Sequence, residues 1–395
     1  MSVNQREIGR RTLFAEIRRH GRIPRINLAE LTGISRATVT TITAELLREG
    51  LIEEVMSESS DKGRGRPKVD LKVRGAARLI AGGKISNRSV SLVLLDFEGT
   101  QLAGHEVELD QTAHESGELA ALLAGHVGEL AEKIDRSLAD VAGFGLGIAG
   151  IVDAPRGFVH WSPSLTARNV EFGKILTATL GIPVFLDNDA NLVAMAEKSF
   201  GLGQGHSDFI VVTIESGVGM GVVINDEIYR GTRGCGAEFG HTKVQLEGAL
   251  CRCGQRGCLE AYVADYALLR EAMSASGGQD SRQVEELLAA AKGGDAVAGS
   301  IVERAGRMFA MGLANLVNIF DPELIILAGE QMQASHLYAE EVIEVMRKLI
   351  VQVDKAPPEV VVHKWGNQMW ARGAAAYALD NVSELALQEM KDHVA

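Results

Sequence analysis

Glu238-Phe239-Gly240-His241 leads, nine residues later, into Cys251-Arg252-Cys253-Gly254-Gln255-Arg256-Gly257-Cys258-Leu259-Glu260. One imidazole and three thiolates, from His241, Cys251, Cys253 and Cys258, make a soft donor set of the kind that closes tetrahedrally around zinc. A closed shell leaves no open position for catalysis, so the expected cofactor is a structural Zn2+. Gly254 and Gly257 let the backbone wrap between the cysteines, and the metal would fix a loop with little apolar content of its own. Free thiols or a disulfide are the competing arrangement, against which a Cys-x-Cys pair is badly spaced for an intramolecular bridge. Cys235, in a Gly-rich turn before His241, reads as a small buried residue rather than a ligand.

This string resembles the zinc and sugar-binding signature of the ROK family, which takes its name from repressors, open reading frames and sugar kinases. The resemblance extends over about residues 78–380. It implies an α/β, two-lobed, actin/hexokinase-like (ribonuclease H-like) body with a sugar held between the lobes. The pattern of the residues fits: Leu79 to Leu95 suggests a hairpin of buried strands, Phe144 to Ile151 and Val184 to Leu186 further strands, and Phe209 to Ile214 and Met220 to Ile224 a second set.

Asn188-Asp189-Ala190-Asn191 matches the family motif in which an aspartate takes the proton from the attacking sugar hydroxyl, and Asp189 stands at that catalytic-base position. A carboxylate able to accept that proton also accepts a hydrogen bond from the hydroxyl, so Asp189 serves a sensor as well as a kinase. The resemblance makes Asn188, Glu238, His241 and Glu260 the other sugar contacts. The zinc then has a purpose, since it lets carboxylates 22 positions apart converge on one ligand.

The nucleotide elements depart from the family. ROK kinases open the body with an Asp-x-Gly-Gly-Thr loop, and the equivalent positions here read Lys84-Ile85-Ser86-Asn87-Arg88. Side chains at the two glycines obstruct backbone approach to phosphate, and loss of the Asp removes a group that organises the metal-bound triphosphate. A second phosphate loop, Gly-Thr-Gly in the kinases, reads Glu215-Ser216-Gly217, which sets a carboxylate against phosphate. Leu327-Ala328-Gly329-Glu330 departs from the adenosine motif at Glu330. The expectation is a kinase-like body that is not an enzyme, with an ATP-dependent sugar kinase as the alternative.

Charge is divided along the chain. Of a net charge of -12, residues 1–74 carry 15 Lys+Arg against 10 Asp+Glu, so the remaining residues hold a larger acidic excess. A basic head on an acidic body suits a protein that touches DNA at one end only. Ile8, Leu13, Phe14 and Ile17 mark an amphipathic helix over Ile8–Arg19; a second helix should run from Asn27 to Thr32, Gly33 allows a tight turn, and Ser35 caps a third helix from Arg36 to about Arg48. This is helix-turn-helix spacing, with Ser35, Arg36, Thr38, Thr40 and Thr41 as the outward residues for base edges and phosphates. Leu51–Val55 and Val69–Val73 read as wing strands. Between them lies the cationic segment Asp61–Lys68, whose Arg64 and Arg66 resemble a minor-groove Gly-Arg-Pro element, a basic linker being the plainer alternative.

The domains expected are a winged helix-turn-helix over 1–74, a smaller lobe from 75–190 plus 371–395, and a larger lobe with the zinc site over 191–370. The function expected is a sugar-responsive repressor released from operator DNA by a monosaccharide, as a homodimer or tetramer. The polar start of the chain and the lack of any run of about 18 apolar residues predict a cytoplasmic protein without membrane insertion. A regulatory protein partner using the Ala-rich segment Ala371 to Leu387 is a further possibility, against ordinary lobe packing there. Ser164 stands where many relatives have Asn, so the identity of the sugar stays open.

Overall fold

Three helices and a small sheet form the head. α1 (Val3–His20), α2 (Arg25–Thr32) and α3 (Arg36–Arg48) enclose Leu13, Phe14, Ile17, Leu28, Val39, Ile42 and Leu46. Gly33 ends α2 in the left-handed conformation at φ 67°, and the Ser35 hydroxyl accepts the Thr38 N–H at 3.2 Å to cap α3. α2 starts at Arg25 rather than Asn27 because Pro24, which has no N–H to lose, stands at the helix entry. Ile8 is 58% exposed, contrary to expectation. Arg10, not Ile8, is in phase with Leu13, Phe14 and Ile17 at i+3, i+4 and i+7, and it turns inward. β1 (Ile52–Met56) and β2 (Val69–Val73) pair antiparallel as the wing, Ile52 opposite Val73.

Arg10 meets Glu45 of α3 at 2.7 Å, both side chains being 6% exposed, and Arg6 also pairs with Glu45. Burial alone would raise the Glu45 carboxyl, but the hydrogen bonds from Arg6 and Arg10 outweigh it and hold the group below its ordinary range. Such a depressed group adds stability above its unfolded pKa and loses it as pH falls through the folded value. Glu45→Ala leaves Arg10 buried and unpaired, at a cost of about 3–5 kcal/mol. Thermal melting of the variant should show this loss at neutral pH, shrinking as wild type and variant are both taken into the acid range; a variant as stable as wild type at neutral pH would exclude the effect.

The computed structural model describes residues 3–57, 69–86, 88–214, 217–278, 283–328, 340–364 and 368–392. The body contains, in chain order, β3 (Leu79–Ile85), β4 (Ser89–Asp96), β5 (Gln101–Glu108), α4 (Ser116–Glu132), β6 (Val141–Ile148), β7 (Ile151–Asp153), β8 (Phe158–Trp161), α5 (Phe172–Leu180), β9 (Val184–Asn188) and α6 (Asp189–Phe200). It continues through β10 (Phe209–Ile214), β11 (Val218–Ile224), β12 (Glu227–Ile228), α7 (Glu260–Val263), α8 (Asp265–Ala275), α9 (Val284–Lys292), α10 (Ala296–Phe320), β13 (Leu324–Ala328), α11 (Glu340–Leu349), β14 (Glu359–His363) and α12 (Met369–Asp392).

Two five-stranded sheets result, ordered β5-β4-β3-β6-β9 and β12-β11-β10-β13-β14. Each begins as an antiparallel meander and continues into parallel strands, so the same half-fold occurs twice. β3 and β4 are buried along nearly their whole length, as strands covered on both faces must be.

α12 lies across the first sheet at a distance only glycine permits. A Cβ at Gly82 would stand 2.2 Å from the Ala371 carbonyl, and one at Gly145 1.8 Å from that of Ala374. The Ala-rich segment expected as a possible partner surface is therefore largely internal: Ala371, Ala374, Ala375, Ala378, Leu379, Val382 and Leu387 are buried. Small side chains there bring helix and sheet together. The far end of α12 shares a core with Leu13, Phe14 and Ile17 of the head and with Phe97. Among the described residues no helix is long and apolar enough to cross a membrane.

Candidate effector and metal site

β9 ends at Asn188 and α6 begins at once with Asp189, a strand-to-helix junction that sets the Asp189 carboxylate at a helix N-terminus, where the dipole favours a negative charge. Asn188 is the cap: its Oδ1 accepts the Ala190 N–H at 2.9 Å and its Nδ2 donates to the Gly150 carbonyl at 2.9 Å. The residue expected as a sugar contact thus holds the turn, with one amide hydrogen and one lone pair left over.

Glu260, the first residue of α7, lies against β11 of the second sheet. Its Oε2 accepts the Val218 N–H at 3.3 Å and its Oε1 accepts the Tyr266 hydroxyl at 3.2 Å. Glu238 completes the group. Although 47% of its side chain is open to solvent, desolvation pushes its carboxyl above the usual range; His241 opposes that shift while Glu260 and Asp189 add to it. Asp189 and Glu260, from distant parts of the chain, therefore both lie within electrostatic reach of Glu238.

His241 links this cluster to the cysteines. Its Nε2 lies 4.0 Å from Glu238 Oε2, and its Nδ1 lies 3.7 Å from Cys251 Sγ. Cys253 and Cys258 sulfurs are 3.8 Å apart, and ligand atoms of His241, Cys251, Cys253 and Cys258 all fall within 4.8 Å of one another. A tetrahedron with Zn–S bonds of about 2.3 Å has S···S edges of roughly 3.8 Å, so the donor set fits zinc in kind and in spacing. Gly257, at φ 76°, permits the wrap, for a Cβ there would stand 1.7 Å from the Gln245 carbonyl; Gly254 is likewise left-handed at φ 87°. Burial pushes the metal-free Cys251 thiol up to about 12, a proton that a bound cation would displace. Cys235 stands outside the cluster, as expected, but is half-buried, its thiol donating to the Arg233 carbonyl at 3.2 Å.

Several groups here escaped sequence reasoning. Lys243 Nζ lies 2.9 Å from Cys258 Sγ, a positive charge beside the thiolates, and the Tyr266 hydroxyl orients Glu260. Asp187, fully buried, precedes the motif; its Oδ1 accepts from Asn188 N at 2.7 Å and from Asn191 Nδ2 at 3.0 Å. The i, i+4 spacing of Asp187 and Asn191 was the only local signal.

Lys84 is 2% exposed, with Nζ 3.5 Å from the Trp370 ring centroid. Ser164 is buried as well. Asn87, Glu215, Ser216, Gly329 and Glu330 lie outside the described residues.

On the head, Arg36, Thr40 and Thr41 are exposed along α3, as a recognition surface requires. The Thr40 and Thr41 hydroxyls donate to the carbonyls of Arg36 and Ala37, so toward a ligand they offer acceptors and methyls. Ser35 is exposed and Thr38 half-buried, and the Ser35 hydroxyl donates to Thr38 Oγ1 at 2.9 Å, so these two residues also serve as the cap of α3. Arg64 and Arg66 lie outside the described residues.

Residues 82–381 match the ROK family, and residues 5–53 match the winged helix-turn-helix DNA-binding family. The chain belongs to the ROK family. It is 30% identical over 337 residues to a xylose repressor of Caldicellulosiruptor bescii, covering 82% of this chain and 84% of that one. It is 28% identical to the DNA-binding transcriptional dual regulator NagC of Escherichia coli, covering 83% and 82%. A solved ROK family transcriptional regulator, described as a homolog of the E. coli MLC protein, superposes with a TM-score of 0.82 at 25% identity over 98% of this chain and 99% of that one.

Proposed function

We propose that this ROK protein is a sugar-responsive transcriptional repressor, bound to operator DNA through α3 and released when a monosaccharide enters between the two sheets. What carries the reading is the presence, in one chain, of a helix-turn-helix head and a carboxylate cluster of Asp189, Glu238 and Glu260 braced by one histidine and three cysteines. The domains divide as 1–74 for the head, 75–190 plus 371–395 for the smaller lobe and 191–370 for the larger. Relatives named as repressors of xylose and other sugar systems support the assignment.

Sugar hydroxyls donate to Asp189, Glu238 and Glu260, and His241 Nε2 adds a further polar contact beside Glu238. Zn2+, held by His241, Cys251, Cys253 and Cys258, supplies rigidity to the loop between the carboxylates and no chemistry on the sugar. Arg36, Thr40 and Thr41 read or position on the DNA, with Arg64 and Arg66 toward the minor groove. A homodimer or tetramer in the cytoplasm would present two heads to a pseudopalindromic site. Sugar that favours the DNA-free arrangement weakens operator binding, and operator weakens sugar binding by the same factor.

Loss of nucleotide binding rests on Lys84. A cation packed on Trp370 replaces the aspartate that organises metal-bound phosphate in the kinases, so Asp189 binds its hydroxyl without a phosphoryl donor beside it. The test is fluorescence anisotropy of a duplex selected by the protein from a randomised pool, titrated with D-xylose, D-glucose and N-acetyl-D-glucosamine. One sugar should reduce affinity on the order of 10-fold or more. Equal affinity with and without every sugar would remove the mechanism, and sugar-dependent ADP release from Mg-ATP would establish the kinase reading in its place.

A further inference from the structure

Asp187 and Arg230 join the two halves of the body at a point the sugar site does not use. Asp187 is the last residue but one of β9 in the first sheet; Arg230 follows β12 of the second and begins the strap that leads to Glu238. Arg230 Nε and Nη2 reach Asp187 Oδ2 at 2.8 and 2.7 Å, with the aspartate side chain 1% exposed. The other oxygen of Asp187 holds the backbone N–H of Asn188. One ion pair thus touches both arms of the sugar cluster, the turn carrying Asp189 and the strap carrying Glu238.

On its far side the Arg230 guanidinium lies 5.1 Å from the Tyr377 ring centroid, on α12. One helical turn on, Asp380 pairs with Arg18 of α1 at 3.3 Å, and Arg18 also donates to Ser383 at 2.5 Å. Arg11 of α1 meets Glu384 at 2.8 Å. Between these groups is a cavity of about 350 Å³, bounded by Arg11 and Arg18 of the head and by Lys198, Arg230, Tyr377 and Asp380 of the body. Among the described residues, Arg18 Nε is buried at this joint without a hydrogen-bond partner.

A close-packed joint would hold the head rigidly, whereas a hollow lined by both charged and apolar side chains, beside the contact of Phe14 with Phe97, leaves room for the head to turn on one side only. The cations around the hollow already have partners in Glu384, Asp380, the Asp226 carbonyl and Asp187, so the space suits a moving joint better than a ligand.

We propose that Arg230 is the positioning residue that couples the effector site to the DNA-binding head. A sugar that draws Asp189 and Glu238 together shifts both anchors of the Asp187–Arg230 pair. The guanidinium carries that shift to Tyr377 and hence to the turn of α12 that grips Arg18. This rests on the repressor reading above.

The test compares wild type, Arg230→Gln, Arg230→Lys and Tyr377→Leu as full-length, zinc-loaded proteins. Sugar affinity is measured by calorimetry, and operator affinity by anisotropy with and without whichever of D-xylose, D-glucose or N-acetyl-D-glucosamine binds wild type. The expected result is a ratio of operator affinities on the order of 10-fold or more in wild type. It should collapse to below about threefold in Arg230→Gln and Tyr377→Leu, although each still binds sugar and DNA, with partial recovery in Arg230→Lys, which keeps the charge. Tyr377→Leu leaves the Asp187–Arg230 pair intact, so it decides the matter alone if Arg230→Gln does not fold. A wild-type ratio in Tyr377→Leu would overturn the coupling role and leave the repressor reading standing. No sugar effect in wild type would overturn both.

Discussion

On the proposed reading, Cys258→Ser should weaken metal binding and sugar binding together. A serine hydroxyl is a poor substitute for a thiolate on zinc, and structural zinc contributes an apparent 10–16 kcal/mol in small domains, so loss of one ligand in four removes roughly 3–4 kcal/mol, or about 100- to 1,000-fold in metal affinity. The proposed sugar site should feel this because the same residues would serve both. His241 turns Nδ1 to Cys251 and Nε2 to Glu238, and Glu260 begins α7 two residues beyond Cys258, its Oε1 3.6 Å from Cys251 Sγ. Without the metal, Glu238 and Glu260 lose their common brace. Zinc content by mass spectrometry and sugar titration by calorimetry check the two losses in one preparation. Full sugar affinity in demetallated wild type would show that the loop stands without metal.

Asp189→Ala should cost at least one charge-assisted hydrogen bond, about 1.5–3 kcal/mol, and so lower sugar affinity roughly 10- to 150-fold. Operator affinity should not change, since Asp189 lies in the body and α6 keeps its Asn188 cap. The variant would be a repressor that sugar no longer releases. Calorimetry and anisotropy separate the two properties, and undiminished sugar affinity would show that Asp189 is not a contact. Asp189→Asn keeps the shape and loses the charge, so it should fall between wild type and Ala.

The His/Cys cluster was legible because its chemistry is local: the candidate donors from Cys251 to Cys258 can be matched to a metal without knowing any distant contact. α3 was legible for the same reason, since Ser35 and the apolar spacing of Val39, Ile42 and Leu46 mark its start and its inner face. What stayed hidden depends on partners far along the chain. Asp187 and Arg230 are 43 positions apart, and neither announces the other. Lys84 could be seen to replace an aspartate, but its Trp370 partner comes from the other end of the body. Ile8 failed for a subtler reason. A hydrophobic residue was preferred to an arginine for the inner face of α1, and only Glu45 on α3 makes the arginine the better choice there.

The glycine-lined seat of α12 also bears on the order in which this protein comes into being. Residues 369–392 emerge from the ribosome after every other described element, yet they cover a face of the first sheet, whose strands began at Leu79. Until then Gly82, Gly145 and their apolar neighbours have nothing over them. The head, whose three helices and wing are contiguous in sequence, can form early, but its docking surface on α12 does not yet exist. A nascent chain therefore has a head without its docking surface, and a chain broken before residue 369 keeps that state, with a bare sheet prone to aggregation behind it.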